Sequence, residues 1–428
     1  MSMETRAPGR WLDPAETSSL VNLQTVEEHA SEAAFLWTQR QRAVVAPHFK
    51  LNHLQLVDRR LQSHLVALRI ARESGWRIAH QGVDADDPGT VFTLGWLAFS
   101  GGIVDHMRDA LAVALAAPGG IEALVGALAW LPSAVARDIA IRLSRSSEGS
   151  YRLIGHRALS ELGEHNVSTL EAAIHDPEEA VRGSGLKGIG EAGCVALETT
   201  ARRALQDQDL TCAYSAAWSL ALMGDPAAAR TAYDLGLNSK SDPLIARDAI
   251  EISMRCAPDE WCRQSIRNLL AQPDQRRLAI VGAGALGDPV VVPWLIDQCE
   301  DPLHARVAGE AIATITGVDL SYLDLTRDTE EAGEEADDSP LPTEDDDLPH
   351  PDAELLRGWW KEQGGRFAPG GRYLAGSPVS LETASAVLRT GYQRQRAAAA
   401  IELSRLSAPG TMFRTAARAD RQYRRLSA

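Results

Sequence analysis

A chain of 428 residues with 45% apolar and 24% charged residues can bury a large core, and it should form several domains or one extended array. Its formal net charge of −15 argues against a surface devoted to phosphate backbones, so no nucleic-acid partner is expected. Cys194, Cys212, Cys256, Cys262 and Cys299 are scattered and odd in number, which fits packed, reduced thiols of a cytoplasmic protein better than disulfides or a metal site.

In chain order, the opening MSMETRAPGRWLDPAE lacks the apolar core of a secretory signal, and residues 1–15 read as a disordered lead-in. Residues 16–81 read as an N-terminal helical cap. One amphipathic helix draws core contributors from Val26, Ala30, Ala33, Phe35 and Trp37, and a second lines up Leu54, Val57, Leu61, Leu65 and Leu68. Helices follow near 91–99, 103–116, 119–130 and 133–144. The most apolar stretch, Ala110 to Pro132, is broken by Pro118-Gly119-Gly120, so no membrane span is expected.

From there the chain repeats itself. Asp-Pro start signals stand at Asp176-Pro177, Asp242-Pro243 and Asp301-Pro302, with Asp207 and the QPD of Gln272 to Asp274 between them, at intervals of roughly 30 residues. Out of phase with them runs a glycine series, Gly163, Gly190, Gly224, Gly287 and Gly317, suited to ending a helix in the left-handed conformation. One signal opens the first helix of a pair and the other turns it into the second. That spacing predicts stacked helical hairpins over residues 82–320.

Within this array Gly282, Gly284 and Gly287 spell G-x-G-x-x-G, the opening of a dinucleotide-binding fold. Such a fold needs a strand before the motif and another after it. Here VVVPWLIDQCEDP follows, with Pro293 inside it, so the glycines read as helix packing and a turn, and no cofactor is expected.

Asp324 to Asp352 holds thirteen Asp/Glu against one Arg, which predicts a solvated linker over 321–352. Residues 353–428 reverse the sign, with thirteen Lys/Arg against five Asp/Glu. This tail opens on the aromatic cluster Trp359, Trp360, Phe367 and Tyr373 and ends in helical sequence.

No H-E-x-x-H, G-x-S-x-G, phosphate loop or Cys/His cluster at metal spacing is present, which predicts a protein without catalytic or metal chemistry. Asp84, Asp86 and Asp87 fall short of a calcium loop, and His48 and His53 read as flanking a turn. Candidate partner-binding residues come from two places. Arg182, Arg247 and Arg306 lie in first helices and could form a ladder for an acidic or elongated ligand. Salt bridges within the array, to residues such as Glu178, Asp248 and Glu310, account for them as well. In the tail, Trp359, Trp360 and Tyr373 together with Arg394 and Arg396 could dock on the array or on a partner protein.

The repeats resemble HEAT repeats of the short, phycobilisome-lyase-like type, with GALGDPVVVPWLIDQCEDPLHARVAGEAIATITG (Gly284 to Gly317) as the specimen. Three further blocks resemble an uncharacterised proteobacterial HEAT-repeat family associated with type VI secretion gene clusters. They are Val26 to Trp76, Gly371 to Ser380 (GRYLAGSPVS) and Val387 to Leu406 (VLRTGYQRQRAAAAIELSRL). The resemblance implies a right-handed, all-α solenoid of helical hairpins with a helical cap and a helical tail, and a cytoplasmic context near secretion spike or effector proteins. It carries no catalytic residues. The expected function is a non-enzymatic, protein-binding scaffold or adaptor. An immunity-type protein that occupies a cognate toxin, and a nucleic-acid enzyme built on HEAT helices, are the alternatives.

Overall fold

The structure, a computed structural model, describes residues 21–238, 243–327 and 345–427. The lead-in and the middle of the expected linker fall outside these. The fold is all-α, and the strands among the described residues are one short antiparallel pair. No described helix is long and apolar enough to cross a membrane. Two compact units are present, Met1–Arg40 with Leu56–Pro132 and Gln41–Gln55 with Ser133–Ala428. The division cuts across the expected cap, and it joins residues 353–428 to most of the expected array.

Helices α1 (Leu23–Ala43) and α2 (Leu51–Ile70) are shared between the units, and α3 (Glu73–Gln81), α4 (Pro88–Gly101), α5 (Val104–Ala116) and α6 (Gly120–Trp130) complete the first. Its core is aromatic. Trp37 stacks on Phe92 at 5.0 Å, Phe92 meets Trp130 edge-on at 5.9 Å, and Trp130 Nε1 donates to Gln62. The α2 stripe is buried as expected, whereas Phe35 is 59% exposed. Nine residues beyond Val26, it lies half a turn away from the buried Val26–Ala33–Trp37 stripe.

In the second unit α7 (Ser133–Leu143) packs on α8 (Gly149–Leu162). The first helices α8, α10 (Glu179–Ala192), α12 (Leu210–Leu222), α14 (Pro243–Cys256), α16 (Arg276–Leu286) and α18 (Ala305–Thr316) each touch the next in that row. The second helices α9 (Val167–Ile174), α11 (Glu198–Ala204), α13 (Pro226–Asn238), α15 (Asp259–Leu270) and α17 (Val292–Gln298) lie against the row. The G-x-G-x-x-G segment is helix α16 and its C-cap, with Gly282 and Gly284 buried and Gly287 in the left-handed region at φ 79°. Among the described residues a helix and a 3-10 turn, and not a strand, lead into it, so the strand–turn–helix context of a dinucleotide fold is absent there.

The start and stop signals work differently from expectation. Asp176 and Asp207 sit two residues ahead of the N-caps, where each accepts the backbone N–H of Glu178 or Asp209 in a local turn. Each also takes the arginine of the preceding first helix: Arg152 bonds Asp176 at 2.6 and 2.7 Å, and Arg182 bonds Asp207 at 3.4 Å. The stop of α10 is Gly193 (φ 61°) and not Gly190. Gly190 is inside the helix, where a Cβ would come within 2.6 Å of the Ser219 backbone.

The ends of the expected linker are built into this unit. Asp345 is 1% exposed and accepts from Arg277, while Arg327 N–H donates to the His350 carbonyl. Beyond them come α19 (Ala353–Gln363), the strand pair β1 (Tyr373–Leu374) and β2 (Ser377–Pro378), and helices α20 (Leu381–Thr390), α21 (Gln393–Leu406) and α22 (Ala419–Ser427). The tail runs over the inter-helix turns. Met412 N–H donates to Glu191 O, Tyr373 N–H to Gly287 O, and Ala375 N–H to Thr314 O. These bonds satisfy carbonyls of helix ends that have no intrahelical partner.

Candidate functional site

Three consecutive first helices present a helical stripe to one cleft of the second unit, about 880 Å³ in volume. On α14 the stripe is Arg247, Glu251 and Arg255, at i, i+4 and i+8, spanning about 12 Å of helix. α16 contributes Val281, Gly284 and Ala285, and α18 contributes Val307, Glu310, Ala311 and Thr314. Small residues make the floor: a Cβ on Gly284 would already stand 3.0 Å from that of Ala311. Tail helix α21 adds Gln393, Arg394, Ala397 and Ala398, and Arg42, Val44, Val45 and Ala46 with Asp346-Asp347 complete the lining.

Glu310 organises the charged wall. Its Oε1 accepts from Arg394 Nη1 at 2.8 Å and its Oε2 from Arg247 Nη2 at 3.4 Å, while Arg247 Nε also donates to Glu251 at 3.0 Å. Arg394 Nε donates to the Val45 carbonyl at 2.7 Å and so ties residues 42–46 to α21.

Behind this wall lies Glu402, wholly buried and shared by three guanidiniums. Arg372 Nη2 stands at 2.5 Å, Arg405 Nη2 at 2.7 Å and Arg255 Nη1 at 3.8 Å. Arg255 is 5% exposed; its Nη1 donates to the Ala285 carbonyl at 3.2 Å and its Nε has no partner. Burial pulls the Arg255 pKa down, an effect that Glu402 and Glu251 oppose.

Of the residues predicted from sequence, the structure brings Arg247 and Arg394 together on Glu310, in the cleft. Arg182 is held away from it by Asp207 and by the carbonyls of Asp176 and Pro177, and not by Glu178. Arg306 Nη1 donates to the carbonyls of Asp345 and Asp346, so it fixes that segment. Trp359, Trp360 and Tyr373 pack with Phe367 against the hydrophobic core formed by α12 to α18. Arg396 is fully buried and donates to Leu388 O, Gln393 Oε1 and Gln422 Oε1. Of these four tail residues Tyr373 and Arg396 are buried, whereas Trp359 and Trp360 are partly buried.

Arg255, Glu310 and Glu402 were missed as a constellation. The i, i+4, i+8 stripe on α14 is visible in the sequence, but the tail residues that close on it are not. Thiol chemistry is disfavoured at Cys212, Cys256, Cys262 and Cys299, since burial pushes each up to about 12. Among the described residues no group of three or more His, Cys, Asp or Glu could hold a metal ion.

No protein-family model matches the chain, and no curated protein matches it. Among solved structures, the chain is similar to an engineered protein whose crystal structure was determined by a structural genomics consortium. The likeness spans 79% of this chain and 99% of that one, at 14% identity and a TM-score of 0.29. A likeness at that level carries no argument about fold or function.

Proposed function

We propose that this chain is a non-enzymatic adaptor, a right-handed solenoid of HEAT-like hairpins that binds a protein partner. The observation that carries this reading is the cleft itself, because three successive first helices aim equivalent stripes into it. The cleft pairs a floor of small apolar residues with charged walls of both signs, a lining that suits complementary side chains of a partner. The arginines found from sequence support a protein partner over a nucleic acid. Those of the array are committed to carboxylates and carbonyls, and the net charge is −15. The resemblance to a secretion-associated family supports spike or effector proteins as the partners and a cytoplasmic place of action.

The test is co-purification of the full chain from its native host, read by mass spectrometry, beside Ala397→Trp, which fills the cleft from its exposed α21 side. Enrichment of a defined secretion spike or effector protein supports the reading. Enrichment of one toxin replaces the adaptor role with an immunity role, and recovery of nucleic acid or of no protein above background overturns both.

A further inference from the structure

We infer that the cleft reads a carboxylate, an acidic side chain or a chain terminus, carried by an extended peptide segment, and that Arg255 is the group that meets it. This rests on the adaptor reading and goes on to name what the adaptor recognises.

Four observations converge. Arg255 is buried to 95% and lines the cleft, yet one of its donors has no acceptor. Buried donors are nearly always satisfied, and an unsatisfied charged one is costly, so this guanidinium favours an incoming acceptor. The carboxylate nearest to it is already committed, because Glu402 is closer to Arg372 and Arg405 than to Arg255. Three cations around one anion leave a local positive excess, which a ligand carboxylate would relieve. Arg247 and Arg394 are engaged by Glu251 and Glu310, whereas Arg255 has no carboxylate of its own closer than 3.8 Å.

The rest of the lining selects for a peptide over a compact anion. The small floor residues Gly284, Ala285 and Ala311 leave an apolar channel beside the guanidinium. Asp346 and Asp347 stand exposed on the lining, and among the described residues neither carboxylate has a partner. An extended chain that places its carboxylate on Arg255 and a Lys or Arg on this acidic pair meets both ends of the charge pattern. A lone inorganic anion satisfies only one.

The experiment selects a phage-displayed random peptide library on the full chain. Enriched peptides should share an Asp, a Glu or a free C-terminus. Changing that acid to its amide in a synthetic copy should weaken binding at least tenfold. Arg255→Gln and Ala397→Trp should each abolish it, with Arg255→Lys keeping a part. Should Arg255→Gln fail to fold, the peptide amide exchange on the unaltered chain still decides. Enrichment of nothing, of peptides with no shared acid, or of peptides indifferent to Ala397→Trp overturns the inference. Full displacement by glutarate, with no contribution from the residues flanking the acid, also overturns it, in favour of a small dicarboxylate. A host protein that co-purifies equally well with Ala397→Trp removes the cleft as its site while leaving the adaptor reading intact.

Discussion

Arg396 is a charge held inside the tail without a carboxylate. Gln393 and Gln422 turn their oxygens to it and spend their amide N–H groups on the carbonyls of Val44, Thr415 and Ala417. Burial lowers its pKa to about 10, and the network persists because every member is satisfied. Removing the cation strands two buried amide oxygens, so Arg396→Met should cost about 3 kcal/mol in urea unfolding. A second residue-scale device is the His156–His165 pair, stacked with centroids 6.2 Å apart and pulled down to about 4 each by burial. Both are neutral when folded but titrate near the ordinary 6.5 when unfolded. Between those values the unfolded chain binds more protons, so stability present above pH 6.5 is lost as pH falls toward 4. Replacing both by Gln should flatten the urea-midpoint profile over that window, saving up to about 5 kcal/mol at pH 4.5 relative to the native chain, about half of it from each ring. An unchanged slope would show that the carboxylates alone set the acid limit.

At the scale of elements, the inter-helix turns serve two purposes. Gly193 and Gly287 adopt positive φ, as a left-handed helix end requires, and the tail lies directly on them: a Cβ would strike the Gly410 backbone at one and the Tyr373 backbone at the other. Gly224 has φ 98° with nothing within 4 Å. Gly224→Ala should therefore cost only the conformational penalty of about 1 kcal/mol, while Gly193→Ala and Gly287→Ala should each cost at least twice that and loosen the tail to limited proteolysis. Equal losses at all three would mean that the tail contact contributes nothing. The α2 stripe was legible in the sequence because it arises from neighbours three to seven residues apart. The α10 stop was not, since Gly190 and Gly193 both fit a helix end and only contact with Ser219 separates them. Asp176 and Asp207 were recognised as starts, but their pairing with Arg152 and Arg182 of the preceding first helices depends on packing that no local window contains.

For the whole molecule, the basic tail is a structural part of the second unit and not a free arm. Arg414 bonds Glu161 and Glu191, Arg372 bonds Glu402, and Phe367 and Tyr373 lie in the same hydrophobic core as α12 to α18. A chain ending before Ala353 should consequently lose cooperative unfolding and expose apolar surface, seen as dye binding and a broadened thermal transition. The candidate site was half legible for the same reason: Arg247, Arg394 and Glu310 as a salt-bridge partner in the array could be named from sequence, whereas the sharing of Glu310 with Arg394 and the unpaired Nε of Arg255 emerge only when α14, α18 and α21 come together. The most direct test of the adaptor claim places a photo-crosslinking amino acid at Ala397 of the full chain in its native host. Cross-linking to one segment of a single protein, lost on competition with a cleft-selected acidic peptide, is the predicted result. Cross-links confined to the chain itself, or spread over unrelated proteins, would contradict it.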